Sequence, residues 1–499
     1  MRCQESEWGI VLINEDRTKG LGLLPKSRSA NVSKRYVGGG RPRTLLRRGR
    51  AGKQGVGSGR LDSSLRERPN TSTEDTVEQQ NLHASKMRQR KKKGKVHSLI
   101  DKVYSRKNLE LAWEKVKKNQ GSAGIDEVTI EEFEERKWYF LELLHRKLRD
   151  GTYRPKPVKR VEIPKSEGGI RKLGIPSVMD RVVQQALVQR MEKIFEAKFC
   201  GCSFGYRKGR SPHDAMRKVW RELNEGNFWI VDADLRQYFD TIDQERLIDL
   251  IAEEISDGRV LQLVRDILRS GVVEGGYWQP TLTGVPQGGV ASQLWSNIYL
   301  TPFDRAMTEQ GYRLTRWADD FVVICSTKAE ALRARAFAEQ FLKKELGVVL
   351  HQDKTRIVHV GEGFEFLGYK VKRGKGYRLT AQRRRVRGNL WNLYAVPREK
   401  SVKRFREQIR KQTRRKAPVK LEELIEQINP VIRGWGNYYC RAHVRVLFNR
   451  LDRWIEQRIY SFLAKRWRNG MWRTYPTGRL IEEYGLVRLT HLIPSLVKR

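Results

Sequence analysis

Trp317-Ala318-Asp319-Asp320 is the stretch on which the fold turns. It lies between Tyr312-Arg313-Leu314-Thr315-Arg316 and Phe321-Val322-Val323-Ile324-Cys325. Both flanks read as short β-strands, so the four residues sit at the tip of an antiparallel hairpin. Two neighbouring carboxylates repel each other unless a cation lies between them. Mg²⁺ suits such a pair, because it takes one or two carboxylates and completes its shell with phosphate oxygens and water. That chemistry belongs to phosphoryl transfer, of which a two-metal polymerase site is one case. A solvated Asp-Asp turn is the commoner outcome, so the pair gains weight only from further residues upstream.

Those residues are present. Asp234 closes the apolar strand Trp229-Ile230-Val231-Asp232-Ala233-Asp234, a natural place for a metal ligand, and the carbonyl of Leu235 can be another. The competing role for a carboxylate here is a helix N-cap, for which Asp240 and Asp243 are better placed. Phe239 follows five residues after Asp234. An aromatic there can lie under the sugar of an incoming nucleotide and leave no room for a 2′-hydroxyl, which selects dNTP over NTP. The usual fate of Phe, however, is the core. Thr283-Gly284-Val285-Pro286-Gln287-Gly288-Gly289 precedes an amphipathic helix. Its glycines permit close backbone approach to a ligand, and Gln287 can bond sugar, base edge or phosphate. Lys165 and Arg171 flank the Gly168-Gly169 turn of a hairpin over 158–175. They can hold a triphosphate, one as a point charge and the other as a fork.

The bulk composition sets the partner class. Among 499 residues, 100 are Lys or Arg and 58 are Asp or Glu, a formal net charge of +42. Such a chain repels itself without a polyanion, and nucleic acid is the natural one. No apolar run of about 18 or more residues is present, which argues against a membrane partner. The five cysteines are scattered; Cys200 and Cys202 have no second half-site for zinc, and a reducing compartment is expected. Residues 1–86 are rich in Gly, Ser, Arg and Asn without sustained periodicity and read as a basic, disordered extension. Its acidic residues argue against a transit peptide, and Met87 is an alternative start.

The remaining chain alternates helical and strand patterns. Helices are expected over 98–119, 127–150, 177–197, 244–269 and 292–310. With the strand at 229–234 and the hairpins at 158–175 and 312–325, this is an α+β, palm-like core. Beyond about residue 380 the chain reads as mostly helical and strongly basic.

In order along the chain stand Ile163-Pro164-Lys165, Arg171 to Pro176, Asp180-Arg181-Val182-Val183-Gln184, Ser203-Phe204-Gly205-Tyr206-Arg207, Asp234 with Phe239-Asp240, Pro286-Gln287-Gly288-Gly289, Ala318-Asp319-Asp320 and Phe366-Leu367-Gly368-Tyr369. Together they resemble the reverse transcriptase of group II intron-encoded proteins, or maturases. Asn119 to Asp126 resembles the extra N-terminal motif of these enzymes, and Asn429 to Tyr439, with Arg433-Gly434-Trp435, resembles the maturase (thumb, or X) domain. The resemblance implies a right-hand polymerase with fingers and palm over 87–375, a helical thumb/maturase domain over 376–480 and a tail over 481–499. It implies a catalytic triad of Asp234, Asp319 and Asp320 and two Mg²⁺ ions held by Asp234, the Leu235 carbonyl and Asp319. By the same resemblance, Lys165 and Arg171 meet the triphosphate, Phe239 is the sugar gate, Gln287 lines the nucleotide pocket and Lys354-Thr355 matches a later palm motif. Two positions depart from the family pattern: Trp317 replaces Tyr, and Gln293 replaces Pro after Ser292.

Downstream, Arg383-Arg384-Arg385, Arg414-Arg415-Lys416, Arg433 and Lys465-Arg466-Trp467-Arg468 alternate with apolar and aromatic residues. Basic helices with aromatics suit structured RNA, although most of the aromatics are expected in the helical core. Arg384, Arg415 and Arg433 are the candidate RNA contacts. The expected partners are group II intron RNA, an RNA template with a DNA primer, dNTPs and target DNA, in the bacterial cytoplasm, with an organelle left open. No His- and Cys-rich endonuclease module is read, so priming is expected from another source, such as a nascent strand at a replication fork. Two rival readings are a splicing factor that only binds RNA and a reverse transcriptase recruited to defence or repair. Paired carboxylates favour the polymerase, because a protein that only binds RNA gains nothing from anions beside phosphate.

Overall fold

The computed structural model describes residues 94–164, 170–373, 393–414, 418–464 and 471–494. All lie in the unit Gly94–Arg499. The expectation for residues 1–86 and the Gly168-Gly169 turn fall outside the described residues, as do Lys165, Arg384, Arg415 and the cluster at 465–468.

The fingers contain helices α1 (Arg106–Asn119) and α2 (Lys137–Arg149). Strands β1 (Val158–Pro164) and β2 (Ile170–Ile175) form the expected antiparallel hairpin, with Ile163 opposite Arg171. Helix α3 (Val178–Phe195) follows, capped by Ser177, whose hydroxyl accepts from the Asp180 N–H. Helix α4 (Pro212–Asn224) leads into β3 (Trp229–Asp234). The helix expected over 244–269 is two, Gln244–Ala252 and Gly258–Leu268. The break has a physical reason: Asp257 caps the second piece and also accepts the Leu99 and Ile100 N–H groups, pinning the fingers to it. Asp243 caps the first piece. Short strands β4 (Val272–Glu274) and β5 (Tyr277–Gln279) extend the fingers sheet in the order β2-β1-β4-β5.

Helix α5 (Ser292–Glu309) then precedes β6 (Arg313–Trp317) and β7 (Asp320–Cys325). Helix α6 (Lys328–Leu346) and β8 (Arg356–His359) complete the palm, whose sheet order is β6-β7-β3-β8. Alternation splits this sheet between two cores. Val231, Ala233, Phe321 and Val323 pack with α3, α5 and α6, while Ile230, Val322 and Ile324 pack with α4 and the thumb. Asp232 and Asp234 fall on the second face by the same period, so that face is apolar at one end and acidic at the other.

Strands β9 (Phe364–Phe366), β10 (Tyr369–Arg373) and β11 (Leu393–Pro397) form a third sheet, β11-β10-β9. β11 is a strand within the stretch beyond residue 380 that reads as mostly helical. Its Leu393 and Ala395 are buried in alternation and its backbone pairs with β10, so packing across the sheet overrides the helical surroundings. The thumb is α7 (Glu399–Gln412), α8 (Leu421–Tyr439) and α9 (Arg445–Leu463). Its aromatics are largely core, as the sequence suggests. Trp435 stacks on Phe405 at 4.5 Å and donates to Ser401, and Tyr438 donates to the Leu367 carbonyl. The Phe366 to Tyr369 motif is therefore the seat on which the thumb helix rests. Gly436 is a contact glycine: a Cβ there would lie 2.4 Å from Leu492.

Candidate active site

Strand register assembles the carboxylates. β3 and β7 are antiparallel, and Asp234 lies directly opposite Asp320. β6 and β7 close on the Trp317–Asp320 pair, leaving Ala318 and Asp319 as the turn. Ala318 has φ 56°, the left-handed region that a tight hairpin demands. An alanine held there costs roughly 1–3 kcal/mol, so the surroundings must enforce it.

Asp234, Asp319 and Asp320 are half-buried, and the surroundings of the two hairpin acids disfavour their charge. Burial raises Asp319 above the ordinary carboxylate range, and the nearby Asp234 adds to this. Burial pushes Asp320 up well above it, reinforced by Asp232, Asp319 and Asp234. Asp232 is also raised by burial, against the pull of Arg356 at 3.0 Å. Lys354 donates to Asp234 at 2.6 Å, so the later palm motif delivers a cation to this corner.

Such a corner suits a divalent cation. Mutually repelling, half-buried acids are relieved by one, and the oxygen donor set is that of a hard ion. The Leu235 carbonyl fits as well. Leu235 bridges Leu350, but the flanking bonds are made by the Asp234 carbonyl with His351 N–H and by Arg236 N–H with the Val349 carbonyl. Among the described residues no three His, Cys, Asp or Glu side chains form a ready-made cage. Mg²⁺ does not need one, since it fills much of its shell with water and phosphate.

Three of the expected nucleotide residues, Arg171, Phe239 and Gln287, lie among the described residues. Arg171 is exposed on β2, and its charge reaches both Asp319 and Tyr206. Tyr206, half-buried near Asp319, has its phenol pushed up to about 12, chiefly by burial. Phe239 is half-buried with its ring edge-on to Tyr238, and its carbonyl accepts from Val285 N–H at 2.7 Å. The Gln287 carbonyl accepts from Gly174 N–H at 2.7 Å. Gly288, at φ 107°, lies so close that a Cβ would meet the Gly174 carbonyl at 2.7 Å. The Gly-rich segment is thus clamped between β2 and the Phe239 turn. Trp317 is half-buried and packs against the palm–thumb core. Gln293 lies in the first turn of α5, where the helix forms without the proline. Arg433 is exposed on α8, far along the chain from these groups.

Sequence reading missed what holds the turn. Arg316 is fully buried and paired with Asp304, donating to its two oxygens at 2.7 and 2.5 Å. Asn297, Ser203 and Gly205 complete the surroundings. Nothing in the local pattern distinguishes Arg316 from a solvent-facing strand residue; only its place three residues before Asp319 hints at a role.

Two family models match the chain. Residues 163–371 match "Reverse transcriptase (RNA-dependent DNA polymerase)" and residues 402–477 match "Group II intron, maturase-specific domain". Protein YkfC of Escherichia coli is 35% identical over 294 residues, 51% of this chain and 77% of that one. Group II intron-encoded protein LtrA of Lactococcus lactis is 27% identical over 455 residues, 73% of this chain and 74% of that one. A putative COX1/OXI3 intron 1 protein of Saccharomyces cerevisiae is 29% identical over 263 residues, 52% of this chain and 30% of that one. With an Asp-Asp hairpin set against a third carboxylate in the palm and a maturase domain behind it, the chain belongs to the family of group II intron-encoded reverse transcriptases and is an RNA-directed DNA polymerase.

Proposed function

We propose that Asp234, Asp319 and Asp320 are the catalytic carboxylates of this polymerase, and that it copies its own intron RNA. The observation that carries this reading is the pairing of Asp234 with Asp320 beside the Asp319 turn, where burial penalises the charge of Asp319 and Asp320. Asp234, the Leu235 carbonyl and Asp319 would hold two Mg²⁺ ions, which would supply activation of the primer 3′-hydroxyl and neutralisation of charge on the leaving pyrophosphate. The chain's own task is positioning and charge neutralisation. Lys165 and Arg171 grip the triphosphate. Gln287 fixes the nucleotide, and Phe239 excludes the 2′-hydroxyl. Lys354 neutralises Asp234 between turnovers.

The maturase domain grips intron RNA through its cations, with Arg384, Arg415 and the exposed Arg433 as the candidates, and so assists splicing and mobility into target DNA. Its chemistry fits a bacterial cytoplasm; no helix among the described residues is long and apolar enough to cross a membrane. Primer extension on an RNA template with Mg²⁺, comparing the wild type with Asp319→Ala, tests the assignment. Loss of DNA synthesis by at least about 100-fold is expected, by analogy with removing one group that stabilises transition-state charge. Equal synthesis by both proteins would sink it.

A further inference from the structure

An ion pair sealed in the apolar palm core calls for an explanation. Arg316 and Asp304 have no exposed side-chain surface. Such a pair rarely stabilises a fold more than apolar residues of the same volume, so its value lies in what it holds in place. Arg316 uses all five N–H donors of its guanidinium. Two go to Asp304, at 2.7 and 2.5 Å, and one to Ser203 Oγ at 2.9 Å. The remaining two go to Asn297 Oδ1 at 3.1 Å and the Ala318 carbonyl at 2.8 Å. Ala318 is the strained residue of the turn, immediately before Asp319.

The other side of the turn is held by the same network. Asn297 donates its amide to the Gly205 carbonyl at 2.9 Å. Gly205 lies against the Ala318 peptide so closely that a Cβ there would come within 2.4 Å of the Ala318 nitrogen. Asn297 and Asp304 both belong to α5 and lie two turns apart on one face. The segment of Ser203 runs alongside β6 at Arg316. Helix, neighbouring strand and turn thus meet at one planar fork.

We propose that Arg316, oriented by Asp304 and Asn297, is a positioning residue that holds the Ala318 peptide in its left-handed conformation and so aims the Asp319 carboxylate into the site. This rests on the assignment of Asp319 as a catalytic carboxylate. Arg316 touches no reacting group; it acts through one peptide. Only a fork serves, because a lysine's single ammonium cannot span Asp304, Ser203, Asn297 and Ala318 together.

The test compares three variants with the wild type: Arg316→Lys, the apolar double variant Arg316→Met/Asp304→Leu, and Asp319→Ala. Thermal unfolding and affinity for intron RNA report on fold. Amide hydrogen exchange over 317–321 reports on the turn without any metal or turnover. Primer extension gives kcat and the KM for dNTP. In the double variant, unfolding temperature and RNA affinity are expected to stay near wild type while the 317–321 amides exchange faster. Its kcat should fall about 100-fold, as for a displacement of about 1 Å at a reacting centre, with KM nearly unchanged. Arg316→Lys should show the same split and serves if the double variant does not fold. Wild-type kcat and exchange in a folded Arg316 variant, with Asp319→Ala inactive, overturns the proposal alone. Full activity in Asp319→Ala overturns the assignment beneath it.

Discussion

Replacing Gly205 by alanine perturbs the Asp319-Asp320 hairpin without touching a carboxylate. Gly205 packs against backbone, not against a side chain that can swing aside. The added Cβ would lie 2.4 Å from the Ala318 nitrogen and 3.0 Å from the Trp317 carbonyl carbon. Ordinary contact begins at 3.4 Å, so one backbone must retreat by 3.4 − 2.4 = 1.0 Å. The Gly205 side is tethered, because its carbonyl accepts from Asn297 and Phe204 N–H donates to the Arg316 carbonyl. The retreat therefore falls on the Ala318-Asp319 turn. A shift of that size at a reacting centre costs on the order of 100-fold in rate, and overpacking costs about 1–3 kcal/mol in stability. Single-turnover primer extension on an RNA template, with chemical denaturation alongside, measures both. A Gly205→Ala protein with wild-type turnover would show that the turn is free to move without consequence and would refute the reasoning.

Phe239→Ala should raise incorporation of NTP relative to dNTP by roughly 10–100-fold, the range an apolar wall can discriminate, as read by competing incorporation of the two; unchanged discrimination would remove Phe239 from the gate. Asp320 has a folded-state pKa raised above the usual 3.8, so the metal-free protein loses stability from this group as pH rises from about 4 through the raised value. Asp320→Asn should accordingly unfold at a higher temperature than wild type at pH 7 in chelator, with the gap closing towards pH 4, while losing polymerase activity; a lower unfolding temperature at pH 7 would contradict the burial of that charge. Arg433→Ala should weaken binding to intron RNA and reduce the slope of log affinity against log salt by about 1, if the exposed guanidinium neutralises one phosphate. An unchanged slope in a salt titration would place Arg433 outside the RNA interface.

Much of the site was legible because its residues obey local rules. A strand ending in Asp234 and a hairpin carrying Asp319 and Asp320 can be read by period and composition, and antiparallel pairing then needs only the right register. The ties from the Gly-rich segment to Phe239 and to β2 are consistent with separate motifs serving one pocket. The split of the 244–269 helix was hidden because Asp257 works partly through Leu99 and Ile100, 158 and 157 residues earlier in the chain. β11 was hidden because its partner β10 supplies the reason for its conformation.

What the sequence determined alone was the chemistry: which acids stand at strand ends, that an aromatic follows the first of them, and that a chain of net charge +42 is built for a polyanion. These are properties of residue type and short-range spacing, and they survive without coordinates. What only the tertiary structure decided was how the acids are held. Arg316 carries its charge into the palm because Asp304 and Asn297 arrive from one helix face and Ser203 from another segment, and no window of sequence contains all four. A buried guanidinium is tolerable only when every donor is satisfied, and that satisfaction is a property of the packed core.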